Sequence, residues 1–223
     1  RAQLTWTSLA GERYAAIGTS QGLFLYYGND FFDITPLDTA ITGCTITTVN
    51  GSNTVTINKG SHGLAKGRYI TLSGVTVTGA SDYTAAELEK VYEIQTTPDV
   101  DKLTILASRN EGGSGMTAAG AATVNPYVEV GPTFQTAGYG WGTYLWNDGT
   151  WGTERTISNV ILDPGNWSLD NFGQVLVATI FNGKTFTWNA GASGARGIRA
   201  SLTTSGFATG NNPTASRFTL VSD

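Results

Sequence analysis

The sequence predicts an all-β protein, and three observations carry that prediction. Glycine is frequent, at 29 of 223 residues, which is about 13% against roughly 7% in average proteins and is typical of many tight turns. A hairpin pattern at residues 6–27 returns at residues 167–188. Between the two copies, short runs rich in alternating Thr and Val are separated by turns that contain Gly and Asp, as in antiparallel strands.

The repeated pattern predicts two similar β-hairpins. In each copy, a polar turn with glycine opens a run of small and β-branched residues, a second glycine turn follows, and the next run ends in an aromatic residue. At an offset of 161 (167 − 6), the matched positions are Trp6 with Trp167, Gln21-Gly22 with Asn182-Gly183, Leu25 with Phe186 and Tyr27 with Trp188, while Gly11 matches Gly173 after a shift of one. Such a repeat suggests a repeated β architecture with a segment inserted between its copies.

The strands of the first copy and of the inserted segment follow in order. The first 37 residues predict an up-and-down meander with three strands, in LTWTSL, ERYAAIGT and LFLYYG, and with FFDITP closing the segment behind a turn. From about residue 40 to 124, strands are predicted in CTITTVN, TVTIN, RYITLSG, VYEIQTT and KLTILAS. Evenly spaced short strands of this kind are typical of a small β-barrel or sandwich.

Three further segments complete the prediction. Thr84 and Glu87 have the spacing of a capping box, which predicts a turn or two of helix in TAAELEK. Residues 110–123 are small and rich in glycine, and they predict a flexible return from the inserted segment. The last predicted strand is RFTLVSD, at residues 217–223.

These elements predict three regions: a propeller blade segment at 1–39, an inserted β-barrel-like module at 40–124, and blade segments with a Gly/Trp-rich connection at 125–223. In a radial array of blades, the aromatic residue that ends each second strand packs between neighbouring blades. The predicted fold is therefore a fragment of a β-propeller, built of meander blades, with an inserted small β-barrel or sandwich module. A β-sandwich with two similar hairpins explains the same pattern. Because the chain lacks an initiating Met and stops within a predicted strand, we expect a piece of a longer polypeptide.

Composition argues against several classes of function. Charged residues make up 13% of the chain and the net charge is −4, so no basic field is available to grip a phosphate backbone, and DNA is expected to pass without specific binding. Cys44 is the single cysteine, which rules out an intrachain disulfide. The apolar runs are far shorter than the roughly 20 residues of a membrane span, and no membrane insertion is expected. The chain has neither a P-loop nor a dinucleotide fingerprint, and no cofactor is expected.

Candidate catalytic residues are few. His62 is the single histidine and lies in the loop KGSHGLAKG, where a turn histidine that hydrogen-bonds its own loop is favoured over a catalytic base. Asp30, Asp33, Asp163 and Asp170 lie near strand ends, but their spacing does not single out a pair for glycoside hydrolysis. We therefore expect no catalytic site, no metal site and no enzyme.

A Gly/Trp-rich segment at residues 138–152 is the sharpest candidate for recognition. Its Trp141, Trp146 and Trp151, with Tyr139 and Tyr144, are interleaved with glycine, and rings of this kind stack on sugars or on side chains of a partner. The alternative, that these rings fill gaps between blades, is favoured because buried aromatic residues are commoner than displayed ones.

Four blocks of the sequence, in order, resemble the tail and neck structural proteins of tailed bacteriophages. They are GERYAAIGTSQGLFLYYGNDFFDITP at 11–36, VNGSNTVTINKGSHGLAKGRYITLSGV at 49–75, GYGWGTYLWNDGTWG at 138–152 and NWSLDNFGQVLVATIFNGKTFTWNAG at 166–191. The resemblance is to a β-propeller tail-nozzle type that carries an inserted small β-barrel between blade segments. Arg68-Tyr69 departs from that pattern, because relatives tend to have Asp or a similar polar residue after the glycine.

The resemblance implies a structural protein of the virion. It would assemble with copies of itself into a ring, sixfold in the family, below the portal and adaptor and beside other tail proteins, and the genome would pass through the ring on ejection. Two rival hypotheses stay open. One is a carbohydrate-binding β domain that uses the three tryptophans in adsorption to a host-surface glycan, and the other is a propeller hydrolase, which only fold analogy suggests.

Overall fold

The structure, a computed structural model, describes residues 2–78, 81–131, 165–203 and 215–221. The chain forms two compact units. One consists of residues 1–36 and 130–223, and the other of residues 37–129. The second unit is thus a continuous segment inserted into the first.

The first sheet is a four-stranded antiparallel meander. Its strands, in sheet order, are β1 (Ala2–Thr7), β2 (Arg13–Gly18), β3 (Leu23–Tyr27) and β4 (Asp30–Asp33). Side chains alternate between buried and more exposed along β2, so that Tyr14 and Ala16 lie on the buried face. The β3–β4 turn places Gly28 and Asn29 at φ of 59° and 70°, the left-handed conformations that a tight hairpin turn requires. The predicted meander is confirmed.

The inserted unit contains a seven-stranded sheet. Its strands are β5 (Ile41–Thr47), β6 (Thr54–Asn58), β7 (Tyr69–Ser73), β8 (Val91–Glu93), β9 (Thr96–Asp99), β10 (Lys102–Leu106) and β11 (Thr117–Pro126). The sheet order is β8-β7-β11-β5-β6-β10-β9. The two edge strands β8 and β9 are separated in sequence by Ile94 and Gln95 alone, a connection that spans at most about 10 Å. The sheet therefore curls so that its two edge strands come close at this connection, around a core that includes Ile46, Ile57 and Ile70.

The glycine-rich segment at 110–123 differs from its prediction. Its second half belongs to β11, which pairs with both β5 and β7 near the middle of the curled sheet. Small residues fit there because Ala118 and Ala122 pack into the core of the unit. Composition suggested a flexible return, but pairing on both sides imposes an extended strand on a sequence with little strand propensity of its own.

The one predicted helix is confirmed. Helix α1 (Ala85–Leu88) begins after Thr84, whose side chain accepts a hydrogen bond from the backbone N–H of Glu87, while the Glu87 carboxylate accepts one from the backbone N–H of Thr84. This reciprocal pair is the capping box that the sequence predicts. In the part of the chain that the structure describes, every helix is too short to cross a bilayer.

The second meander sheet belongs to the same unit as the first. It consists of β12 (Trp167–Phe172), β13 (Val175–Ile180), β14 (Thr185–Asn189) and β15 (Ser201–Leu202), in that order and antiparallel. A short 3-10 helix (Ala195–Gly197) lies between β14 and β15. Both meanders have the strand order of propeller blades, and the all-β class with blade-like meanders and an inserted β module is confirmed.

Strand registers test the repeat directly. Ala16 lies opposite Leu25 in the first sheet, and Ala178 lies opposite Phe186 in the second, which confirms the match of Leu25 with Phe186. The match of Trp6 with Trp167 is wrong. Trp6 pairs with Tyr14 near the start of β2, whereas Trp167 pairs with Ile180 at the far end of β13. The cause is the first turn, which runs from residue 8 to 12 in one copy and only from 173 to 174 in the other.

The last predicted strand is also corrected, as far as it is described. Residues 217–221 form no strand ladder and lie against side chains of β12 and β13. The backbone N–H of Thr219 donates to the Ser168 hydroxyl at 3.0 Å, and that of Val221 donates to the Asp170 carboxylate at 2.7 Å. Side-chain acceptors take the place of a neighbouring strand.

Candidate functional site

The best-defined side-chain constellation of the first unit is an aromatic seam between its two meander sheets. We define the aromatic seam as Trp6, Tyr14, Tyr27 and Trp188. Tyr14 stacks on Trp6 at 5.4 Å between ring centroids and on Tyr27 at 4.9 Å. Trp188, from the second sheet, meets the rings of Trp6 and Tyr14 edge to face at 6.2 and 5.5 Å. These are the distances at which aromatic pairs attract each other beyond simple burial.

The positions of Tyr27 and Trp188 confirm their predicted role. Tyr27 is the last residue of β3 and Trp188 the last but one of β14, and both lie in the seam between the two sheets. Trp188 is 2% exposed, and its indole N–H lies 3.0 and 3.1 Å from the carbonyls of Ala195 and Ile198. The Trp6 indole nitrogen has no hydrogen-bond partner among the described residues. Ring packing, rather than hydrogen bonding, therefore holds the Trp6 side of the seam.

A charged cluster lies at one margin of the seam. The Glu12 carboxylate accepts hydrogen bonds from the hydroxyls of Tyr14 and Tyr27, and from the Arg196 guanidinium at 2.9 Å. The Arg196 guanidinium also lies over the Tyr27 ring, 4.0 Å from its centroid. Glu12 belongs to the first meander and Arg196 to the 3-10 helix of the second, so this cluster joins the two sheets.

The cluster contains the residue types that a glycosidase would use, which the sequence did not reveal. Hydrogen bonds from Tyr14 and Tyr27, with the adjacent Arg196, hold the pKa of Glu12 below its ordinary value. Burial and the bond to Glu12 raise the pKa of Tyr14, and the bond to Glu12 followed by burial raises that of Tyr27. These shifts move the pKa values of all three groups away from neutral pH. A general acid or base works best with a pKa near the working pH. Packing and cross-linking are what this arrangement does well.

A second contact between the sheets is unusually close. Gly18 lies against the ring of Trp167, whose indole N–H donates to the Thr19 carbonyl at 2.8 Å. A Cβ at position 18 would lie 2.6 Å from the Trp167 ring. Only glycine permits this approach.

The inserted unit has its own polar cluster, centred on Glu111. This carboxylate is 1% exposed and accepts hydrogen bonds from the hydroxyls of Thr48 and Ser81 and from the backbone N–H groups of Asp82 and Gly113. Burial by itself would raise the pKa of Glu111, but these hydrogen bonds outweigh it and the pKa lies below its ordinary value. The donors come from three separate segments of the unit, so the buried carboxylate fixes loops rather than exposing a reactive group.

Arg109 extends the network on the surface of the same unit. Its guanidinium pairs with Asp82 at 2.9 Å and with Glu87 at 2.8 Å. Arg109, with bonds from Thr84, lowers the pKa of Glu87 to about 2, and the same guanidinium keeps the pKa of Asp82 well below its usual range. Neither Arg109 nor Glu111 could be found from the sequence, because their partners lie up to 63 residues away.

His62 behaves as predicted from its loop. It is buried, and its Nδ1 accepts a hydrogen bond from the backbone N–H of Leu64 at 3.0 Å. Its Nε2 has no partner among the described residues. The interpretation of His62 as a turn histidine is confirmed.

Two of the four candidate carboxylates, Asp33 and Asp170, have separate sets of partners. Asp33 pairs with Arg199 at 3.1 Å and accepts from the backbone N–H of Thr35. Asp170 accepts from the backbone N–H groups of Asn171 and Val221. Asp30 lies exposed at the start of β4, and Asp163 lies outside the described residues. Within the described ranges, no group of three His, Cys, Asp or Glu residues could hold a metal ion.

The predicted recognition segment, with Trp141, Trp146 and Trp151, lies outside the described residues. Whether they bind a ligand or pack between blades stays a prediction.

Comparisons with known proteins give little. No protein-family profile and no curated protein sequence matches the chain. A solved structure, the phage phi92 endosialidase, is similar with a TM-score of 0.32 and 14% sequence identity, over 90% of this chain and 29% of that one. The chain thus spans under a third of that protein's length, and a likeness at this level assigns neither a family nor an activity.

Proposed function

We propose that this chain is a structural component of the virion of a tailed bacteriophage, part of a tail nozzle or neck ring that surrounds the path of the ejected genome. The observation that carries the proposal is the pairing of two meanders of identical strand order through the aromatic seam. Repeated blades of this kind supply a rigid wall. The ordered sequence blocks that resemble phage tail and neck proteins add the context.

The polar clusters support a structural role in a second way. The Glu12 and Glu111 carboxylates accept hydrogen bonds from the groups around them. The pKa values of Glu12, Tyr14 and Glu111 are shifted away from neutral pH. Such clusters cross-link elements and contribute to rigidity. A wall around DNA needs rigidity more than it needs a reactive group.

Charge supports the passage of DNA without binding. The chain has 13 basic and 17 acidic residues, so it repels a phosphate backbone weakly rather than holding it. Proteins that retain duplex DNA do so by neutralising phosphates with Lys and Arg, with a strong dependence on salt. We expect no retention of duplex DNA at physiological salt.

The test is the assembly of the full-length protein that contains this chain. Negative-stain electron microscopy and light scattering are expected to show closed rings of six copies under virion-like ionic conditions. A protein that stays monomeric over a wide concentration range contradicts the proposal. In the same preparations, a gel-shift assay with random duplex DNA tests whether the protein retains DNA. Tight binding would instead point to a nucleic-acid-binding protein.

A further inference from the structure

The face of the first sheet that lies away from the aromatic seam is open. Along β1 and β2 the side chains that alternate with Trp6 and Tyr14 are more exposed. Thr5, Ala15, Tyr26 and Phe31 form one row across this face, because Thr5 pairs with Ala15, Ala15 with Tyr26 and Tyr26 with Phe31. The pair Thr7 and Arg13 forms the adjoining row.

Five residues of these rows line a shallow groove of about 350 Å³: Thr5, Thr7, Arg13, Ala15 and Tyr26. Trp6, Tyr14, Tyr27 and Gly28 complete its lining. Ala15 forms a low floor between larger neighbours. Tyr26 forms an aromatic wall of the groove, and it is 37% exposed. Phe31, which is 65% exposed, packs beside Tyr26 with ring centroids 5.0 Å apart but does not line the groove itself. The volume lies at the lower end of the roughly 300–1,000 Å³ typical of ligand pockets, so it suits a group of about one ring.

The hydroxyls of Tyr26 and Tyr27 are bonded to Asn29 and Glu12, whereas three other polar side chains of the groove have no partner among the described residues. The Arg13 side chain makes no ion pair and no hydrogen bond with any described residue, and the same holds for the hydroxyls of Thr5 and Thr7. By contrast, Arg196 pairs with Glu12 at the seam, Arg109 pairs with Asp82 and Glu87 in the inserted unit, and Arg199 pairs with Asp33. A free guanidinium beside two free hydroxyls and an exposed aromatic wall is a set of donors next to an apolar surface.

We propose that this groove binds a carboxylated saccharide. The C–H face of a pyranose ring is apolar and fits an aromatic wall, while its hydroxyl groups need hydrogen-bond partners such as Thr5 and Thr7. A guanidinium binds a carboxylate through two parallel hydrogen bonds, which Arg13 is free to make. Nucleic acid fits less well, because a single cation on a chain of net charge −4 neutralises too little phosphate.

This inference does not depend on the proposed ring. It rests on one face of one sheet, and it concerns residues other than Trp141, Trp146 and Trp151. A monomeric protein could bind the saccharide, and a ring-forming protein could fail to bind it. The two tests therefore separate cleanly.

The experiment is a nuclear magnetic resonance titration of the isotope-labelled chain with a galacturonic acid trisaccharide. Saturable shifts are expected at the backbone amides of residues 5–7, 13–15 and 26–28. A neutral galactose trisaccharide is expected to bind at least about tenfold more weakly, a difference of about 1.4 kcal/mol. Sodium acetate and a short polyglutamate peptide test whether charge alone, or an acidic protein partner, accounts for the signal.

Paired variants sharpen the result. Arg13→Gln is expected to reduce the affinity for the acidic trisaccharide about tenfold or more. Tyr26→Ala is expected to reduce the affinity for both the acidic and the neutral trisaccharide. Arg217→Gln, at an exposed arginine remote in sequence, is the matched control and is expected to bind as the parent does. Circular dichroism establishes that each variant is folded, and Tyr26→Phe, which keeps the ring, is expected to retain binding.

Several outcomes would overturn the proposal. They are the absence of saturable shifts at these amides, shifts confined to other residues, binding unchanged in Arg13→Gln, and equal binding of acetate. Tighter binding of the polyglutamate peptide than of the trisaccharide would assign the groove to an acidic protein segment instead.

Discussion

Glu12 and Glu111 show how single residues stabilise this protein. Each accepts several hydrogen bonds, but Glu12 joins two sheets at a partly exposed margin whereas Glu111 joins loops in a buried setting. A buried carboxylate left without donors would be costly, so its surroundings must be complete. Both residues therefore act through the number of their partners rather than through their charge alone.

Gly18 gives the sharpest prediction at this scale. Gly18→Ala would place a Cβ 2.6 Å from the Trp167 ring, and the ring cannot move freely because its indole N–H is bonded to Thr19. Overpacking of this kind costs about 1–3 kcal/mol, which urea unfolding would measure. Gly197→Ala is the control, since a Cβ there meets nothing within 4 Å. Equal stability of the two variants would contradict the close packing of the sheets.

Glu87 gives a prediction about pH. Its pKa is about 2 in the folded protein and near 4.5 ordinarily, so its stabilising effect is complete above about pH 4.5 and is lost as the pH falls through about 2. The difference in melting temperature between the parent and Glu87→Gln is expected to be largest near neutral pH and to shrink over that interval. Calorimetry across the pH range checks this. A difference that persists at the acid end would argue against the Arg109 pair.

At the scale of elements, alternation of burial explains most of the strands. In β6 and β10, the buried residues Val55, Ile57, Leu103 and Ile105 alternate with more exposed ones, and this period of two is visible in the sequence. In β11 the side chains are too small to carry such a signal. Pairing with β5 and β7 makes it a strand, so its state depends on residues far along the chain.

The seam gives the prediction for an element. Trp188→Ala removes a ring that is 2% exposed and packs on Trp6 and Tyr14, and a loss of about 3–5 kcal/mol is expected. Trp188→Phe keeps a ring but loses the hydrogen bonds to Ala195 and Ile198, with a smaller loss of about 1–3 kcal/mol. Urea unfolding, monitored by circular dichroism, measures the stability that each variant loses. Phe172→Ala, at a residue 69% exposed, should change stability by less than about 0.5 kcal/mol, and similar losses for Phe172→Ala and Trp188→Ala would refute the role of the seam.

At the scale of the molecule, the inserted unit is nearly self-sufficient. Within the described ranges, its seven strands pair only with one another, and its hydrophobic core is built from residues 41–124. Its two ends meet, because Leu37 bridges to Tyr127 and the backbone N–H of Asp38 donates to the Pro126 carbonyl at 2.8 Å. Adjacent ends are what allow one compact unit to be inserted into another.

Residues 37–129 are therefore expected to fold when expressed alone. Because this segment contains no tryptophan, far-ultraviolet circular dichroism and calorimetry should follow a single cooperative transition. The variant Ile46→Ala in the same fragment should lose about 2–5 kcal/mol, as a buried core residue does. A fragment without a cooperative transition would mean that the unit depends on the rest of the chain.

The sequence by itself determined the all-β class, most strands, the capped helix and the aromatic ends of the two hairpins, because alternation, turn glycines and caps act within a few residues of each other. The tertiary structure decided the rest. The equivalence of Tyr27 and Trp188 could be found from the repeat, but Glu12 meets Arg196 across 184 residues, and no local pattern encodes such a meeting. The length of one turn likewise decided that Trp6 and Trp167 are not equivalent. Contacts between distant segments depend on how sheets stack and register, and only the folded chain specifies both.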